Sequence, residues 1–317
     1  MRSDGRNLSL LPISGLRVTW FGHSSTLIEI DGVTVLTDPL WSERISPVNW
    51  AGPKRWYPPP IALANLPRVD IVVVSHDHYD HLDRGTIQAM KDWKNIFVVP
   101  LGVGADLESW GIPTDRIIEL DWWQTAYIGT INIVSTPARH GSGRFSPNSN
   151  KTLWSGFALI GPHHRAYYSG DTGIFPALQD IGDQYGPFDV TLIEAGEYDA
   201  DWPDSHLGPE MAVEVTRRVR GKVLIPVHWG LVSIAQHAWT EPVDRVLMAA
   251  AYTGTVVMTP RPGQSVEPAL RLLQPTPVWW PHLDWRSTIA RPVIATKQGD
   301  PTDRFAPITC PARFLPS

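Results

Sequence analysis

Residues 71–83 read IVVVSHDHYDHLD. Four β-branched apolar residues run directly into three histidines and three aspartates packed between positions 76 and 83. A short, unbroken apolar run is what a strand covered on both faces requires, so the polar cluster sits at the end of a buried strand. A loop leaving that strand can aim His76 and His78 to one side, while Asp80 and His81 fall on the following turn. Neutral imidazole nitrogen and carboxylate oxygen are the ligands of catalytic zinc sites. Four such donors, this close together, serve two adjacent cations better than one tetrahedral ion. The stretch predicts a metal-dependent active site.

Outward from this point the pattern is strand-rich. Runs at 17–21, 26–30 and 33–37 read as strands, the last two joined by Asp31-Gly32, a strong hairpin signal. A helix is expected over 85–93 and a strand at 96–99. Further strands are expected near 117–120, 126–128, 131–135, 153–160, 166–169, 189–194 and 222–227. Helices are expected at 208–219 and 241–251, where Pro209 and Pro242 suit a first turn. Meander segments mixed with β-then-α units, without a clear linker, imply an α/β protein with two mixed sheets and outer helices. Beyond 262 the chain turns Pro-rich and irregular. It is read as a domain over 1–261 with an arm, 262–317, packed on it.

Further donors stand just past strand-like runs, where α/β folds usually bind ligands. His140 lies in TPARHGSGR (136–144), Asp171 in SGDTG (169–173) and His228 in PVHWG (226–230). Ligand imidazoles need a hydrogen-bond partner on their second nitrogen, and Asp38 in LTDPLW and Asp83 are candidates for that role. His23 in WFGHSS is read as close to the site but structural. His206 in SHLGPE either touches a substrate phosphate or caps the helix beginning near Pro209. His163, His164, His237 and His282 carry no such context.

The order HxHxDH, His, GDTG, His resembles the metallo-β-lactamase superfamily, which implies an αβ/βα sandwich. Residues 150–199, with HLGPEMAVE (206–214) and PVHWG, resemble the branch of N-acyl-phosphatidylethanolamine-hydrolysing phospholipase D and its bacterial relatives. The L-ascorbate-6-phosphate lactonase branch shares the layout. The likeness spans about residues 17–250. It implies that His76, His78 and His140 hold one zinc, that Asp80, His81 and His228 hold a second, and that Asp171 bridges them. Manganese or iron would accept the same ligands. It further implies a water activated between the ions as nucleophile and suggests a homodimer; Asp80, Asp171 and His206 are the expected catalytic residues. Asp77 within the motif points to hydrolysis, since related di-iron oxygen reductases usually carry Glu there. The expected reaction is phosphodiester cleavage, with a lactone or β-lactam carbonyl as the alternative and a non-catalytic binding protein as the least favoured reading. Glu194 and Glu197, in IEAGEYD (193–199), set extra carboxylates where the branch is more apolar. They would oppose an anionic substrate if they faced it.

Composition narrows the partners. A formal net charge of −5 gives no basic stripe for nucleic acid, which also disfavours a ribonuclease. One cysteine, Cys310, permits neither an internal disulfide nor a Cys-based zinc site. No signal-peptide h-region and no run of ~18 apolar residues is visible, so a soluble, cytoplasmic protein is expected, with at most peripheral membrane contact. The 15 tryptophans cluster near prolines. They read as bulky anchors for Pro-rich loops, or as an amphipathic rim around a lipid-facing pocket.

Overall fold

The computed structural model describes residues 8, 10–144, 149–285 and 292–306. Cys310 and parts of the expected arm (286–291 and 307–317) lie outside the described residues, as do residues 1–7 and 9. Two mixed sheets face each other. The first contains β1 (Leu16–Gly22), β2 (Ser25–Ile30), β3 (Val33–Thr37), β4 (Ile71–Val73), β5 (Ile96–Pro100) and β6 (Ile117–Leu120). The second contains β7 (Thr125–Ile128), β8 (Ile131–Thr136), β9 (Gly156–Ile160), β10 (Arg165–Tyr168), β11 (Val190–Glu194) and β12 (Leu224–Val227). A last strand, β13 (Gln264–Val266), joins the first sheet, giving the orders β13-β1-β2-β3-β4-β5-β6 and β12-β11-β10-β9-β8-β7.

Alternation in β4 shows how one sequence serves two layers. Ile71 and Val73 point into the core between the sheets, against Ile133, Phe157 and Leu192. Val72 and Val74 point outward, against Ile87 of α1 (Arg84–Ala89), Met90 just past its end, and Leu107 of α2 (Gly104–Ser109). On the far side, α3 (Leu178–Tyr185), α4 (Pro209–Arg218) and α5 (Glu241–Thr253) cover the second sheet through Ile181, Met211, Val215, Val246 and Ala249. The result is helix, sheet, sheet, helix. Burying each such aliphatic side chain contributes about 1.5–3 kcal/mol.

One expectation is corrected. The helix expected over 85–93 ends at Ala89, where Met90 leaves helical geometry and its N–H tightens onto the Ile87 carbonyl. The short α2 and α3 add to the helices expected from sequence. Past residue 262 the chain forms a strand: Val18, Thr19 and Trp20 of β1 pair antiparallel with Val266, Ser265 and Gln264. Residues past 262 thus close the sheet edge. Beyond them, Trp279 and Trp280 pack with Trp20 and Trp229, whose indoles stack at 5.1 Å. Loop anchoring therefore accounts for these tryptophans. Among the described residues, no helix is long and apolar enough to cross a membrane.

Candidate metal centre

Topology brings the donors to one edge. β1, β3 and β4 run in one direction in the first sheet, and β8, β10, β11 and β12 share one direction in the second. The turns after these strands carry His23, Asp38, the 76–83 loop, His140, Asp171 and His228, and Glu194 ends β11. His23, Asp38 and His228 adopt positive φ (52°, 33° and 63°), a left-handed geometry that costs of order 1–3 kcal/mol per residue and clusters at functional sites. Gly170 also has positive φ. A Cβ there would lie 2.7 Å from the Ser75 side chain and 2.8 Å from the Ser155 carbonyl, so only glycine lets the Asp171 turn approach the histidine loop.

All seven residues implied as ligands converge. His76 Nε2 lies 2.9 Å from His78 Nδ1, and His140 Nε2 lies 3.2 Å from the same His78 atom. His140 donates its Nδ1–H to the Ser205 carbonyl at 2.8 Å, so its Nε2 presents a lone pair inward. Three imidazole nitrogens pointing at one another cannot all be satisfied by protons. On the other side, Asp80 Oδ2 lies 3.2 Å from His81 Nε2 and 3.3 Å from His228 Nε2. Between the groups, Asp171 Oδ2 is 3.0 Å from His81 Nε2, 3.2 Å from His228 Nε2, 3.7 Å from His140 Nε2 and 3.8 Å from His76 Nε2. Asp171 Oδ1 and His81 Nε2 are buried without a well-aligned hydrogen bond. Converging lone pairs and orphaned buried polar atoms fit divalent cations that take nitrogen and oxygen ligands.

Electrostatics divides the cluster in two. Burial, followed by the neighbouring imidazoles, pushes His76 well down, and burial takes His140 to about 3. Burial works against protonated His81 and His228 as well, but Asp171 and Asp80 outweigh it and push both up. Those same imidazoles hold Asp80 and Asp171 well below the usual carboxylate range despite their burial.

Outward-facing nitrogens are anchored. His76 Nδ1 meets Ser75 Oγ at 2.9 Å, and Ser75 Oγ donates in turn to Asp38 Oδ2 at 2.5 Å. Asp38 Oδ2 also accepts from His81 Nδ1 and from the Tyr168 hydroxyl. His228 Nδ1 faces the Gly196 carbonyl at 3.3 Å. Asp38 therefore fills the expected orienting role. Asp83 does not. It caps α1 by accepting from Gly85 N and fixes the 41–42 turn through Trp41 N, Ser42 N and Ser42 Oγ. Asp77 accepts from Gly143 N at 2.6 Å, pinning the loop that follows His140.

The feared carboxylates turn inward. Glu194 Oε1 accepts from Thr172 N and Leu207 N, and its Oε2 meets His206 Nδ1 at 2.7 Å. Glu197 Oε2 accepts from Ile234 N and Ala235 N. His206 is no helix cap, since Gly208 holds that position with no side-chain cap. Its ring lies 4.9 Å from His140 and 5.3 Å from His228. Burial opposes protonation of His206, but Glu194 and Asp171 overcome it and push the imidazole up. His164 pairs with Asp31, and His237 stacks on Tyr198; both are structural. Sequence reasoning missed Ser75, Ser205 and Tyr168 as orienting groups. Ser75 adjoins the motif, but nothing in the sequence marks the other two.

The comparisons agree with this geometry. The Beta-lactamase superfamily domain matches residues 33–229. A functionally uncharacterised protein of Mycobacterium tuberculosis (strain ATCC 25618 / H37Rv) is 52% identical over 273 residues, covering 84% of this chain and 72% of its own. N-acyl-phosphatidylethanolamine-hydrolyzing phospholipase D 1 of Caenorhabditis elegans is 39% identical over 246 residues, covering 74% and 69%. A metallo hydrolase from Ignicoccus hospitalis KIN4/I superposes with a TM-score of 0.61 at 25% identity, covering 79% of this chain and 97% of its own. With its two facing sheets, outer helices and clustered His and Asp donors, the chain belongs to the beta-lactamase superfamily, in its metallo-β-lactamase fold, and is a metal-dependent hydrolase.

Proposed function

We propose that the chain is a dinuclear zinc-dependent phosphodiesterase acting on a phospholipid diester. The observation that carries the reading is Asp171 Oδ2, within 3.8 Å of four imidazole Nε2 atoms drawn from both donor groups. A carboxylate oxygen so placed suits a bridge between two ions. The choice of diester is supported by the 39% relative, whose name describes cleavage of an N-acyl-phosphatidylethanolamine. It is also supported by the inward-turned Glu194 and Glu197, which keep their charges off an anionic substrate. Half-exposed Trp56, Trp202 and Ile234 lie on loops tied to Glu197 and to the chain after His228, and offer apolar surface to an acyl chain.

Bound divalent ions would polarise a phosphoryl oxygen and make water a nucleophile near neutral pH. The chain's own residues do the rest. His76, His78 and His140 would hold one ion, Asp80, His81 and His228 the other, and Asp38 and Ser205 keep the ring orientations. Glu194 Oε2 accepts from His206 Nδ1 and stabilises the imidazolium, so His206 can donate through its other nitrogen to a phosphoryl oxygen or to the departing alcohol.

The test is a side-by-side assay of zinc-loaded protein on N-acyl-phosphatidylethanolamine vesicles, bis(p-nitrophenyl) phosphate, a lactone and nitrocefin. Diester turnover dominating the set is the expected outcome. Lactone turnover without diester turnover would transfer the assignment to the lactonase branch.

A further inference from the structure

We propose that His23 is a positioning residue that holds Asp80 in place for the second cation by donating its Nε2–H to Asp80 Oδ2. The inference rests on the two-ion reading above. His23 is fully buried and follows β1 at φ 52°. Its turn is stitched to the His228 turn: His23 N donates to the Trp229 carbonyl at 3.2 Å, and the His23 carbonyl accepts from His228 N at 3.0 Å and from Trp20 Nε1 at 2.8 Å. From that fixed backbone, His23 Nε2 reaches Asp80 Oδ2 at 2.9 Å.

A rival role exists, because donor atoms of His23, Asp80, His81 and His228 all gather within 4.8 Å of one another. That rival makes His23 Nε2 a further ligand, and the second ring nitrogen decides the matter. His76, His81, His140 and His228 each engage a partner through Nδ1. His23 Nδ1 is buried with none. A ligating Nε2 would force the proton onto Nδ1 and strand an N–H away from any acceptor. Orphaned buried donors are rarer in folded proteins than under-satisfied acceptors. With the proton on Nε2, only a lone pair is left unmatched. The need for such a group is also visible at Asp80. Of the side chains that Asp80 Oδ2 meets, His81 and His228 are themselves in the ligand set, and His23 is the one outside it. Asp80 thus gains from His23 what His81 gains from Asp38.

The experiment is a zinc titration of the full chain by competition with a chromophoric chelator, in wild type, His23→Leu and His23→Gln. Leucine removes the donor, while the glutamine amide can place an N–H near the Nε2 position. The first equivalent should bind all three proteins alike. The second should weaken by about 10–100-fold in the leucine variant, the usual effect of losing an outer-shell partner, and recover to within a few-fold with glutamine. Two equivalents at wild-type affinity in the leucine variant would overturn the inference and leave the two-ion reading intact. A glutamine variant as weak as leucine would overturn it in favour of a ligating imidazole. Wild-type protein binding only one equivalent would sink the two-ion reading, and the inference with it. Should the leucine variant not fold, histidine nitrogen-15 NMR of wild-type protein reads the tautomer directly: Nε2–H is expected, and Nδ1–H would overturn the inference.

Discussion

Asp38 Oδ2 lies 2.5 Å from His81 Nδ1, and neither side chain has any exposure to solvent. The same carboxylate takes Ser75 N at 2.7 Å, Ser75 Oγ at 2.5 Å and the Tyr168 hydroxyl. One residue therefore orients His81 directly, His76 through Ser75, and a tyrosine from the opposite sheet. Asp38→Asn keeps the shape but loses the charge and turns one acceptor into a donor facing donors. Zinc affinity should fall about 10–100-fold, with turnover falling in parallel. A chelator-competition titration checks this; unchanged affinity would remove Asp38 from the metal centre.

Asp171 has a stronger claim, because its oxygen faces both donor groups. If Asp171 bridges two ions as proposed, Asp171→Ala should lower kcat by roughly three orders of magnitude or more, since losing the bridge would cost several kcal/mol and each 1.36 kcal/mol is tenfold in rate. Metal content measured by mass spectrometry should fall with it. A fully active alanine variant would refute the arrangement.

Gly170→Ala tests the approach of the two loops. The added methyl would meet the Ser75 side chain and the Ser155 carbonyl, at a φ of 57° that alanine rarely adopts. The expected loss is about 1–3 kcal/mol of stability, read from urea unfolding, together with weaker metal binding as Asp171 is pushed from the histidines.

Away from the site, Asp31 latches two turns. Its carboxylate accepts from the backbone N–H groups of His163 and His164 at 2.9 and 3.0 Å, and meets His164 Nδ1 at 2.6 Å. Burial opposes the charge, but these hydrogen bonds win and hold the Asp31 carboxyl below its usual range. A depressed folded-state value contributes stability above the unfolded-state value and loses it as pH falls toward the folded one. Asp31→Ala should cost on the order of 1 kcal/mol at neutral pH, and the gap from wild type should narrow as pH drops below about 4. Catalysis should be unaffected. A gap that widens on acidification would contradict the hydrogen-bond account.

The features legible in sequence were those governed by local pattern. IVVV announced a strand buried on both faces because alternation needs apolar residues on each side, and Asp31-Gly32 announced its hairpin through turn chemistry. The convergence of the seven donors was readable because each follows a strand and strand ends meet at one edge. The helices α2 and α3 were not readable. α2 begins on Gly104, and α3 carries Gly182 at its middle, where a side chain would strike the Arg218 carbonyl at 2.1 Å. Close helix packing thus removed the propensity signal that would have marked α3. The directions of Glu194, Glu197 and Asp83 were hidden for a different reason. Which way a carboxylate turns depends on backbone donors such as Thr172 N, Ile234 N and Gly85 N, brought near by the tertiary fold.

Metal removal tests the centre as a whole. Five imidazoles, three buried and two half-buried, and two aspartates have been gathered against their own desolvation, so cations bound there should stabilise the fold as well as serve catalysis. Dialysis against a strong chelator should abolish hydrolysis and lower Tm. Stabilisation follows mass action and reaches about 2.7 kcal/mol when free ion stands at 100 times its Kd. Adding zinc back should restore Tm and turnover together, with both curves saturating at the same metal-to-protein ratio. Activity that survived stripping, in protein verified to be metal-free by mass spectrometry, would mean that the histidine cluster holds the fold together and the hydrolysis happens elsewhere.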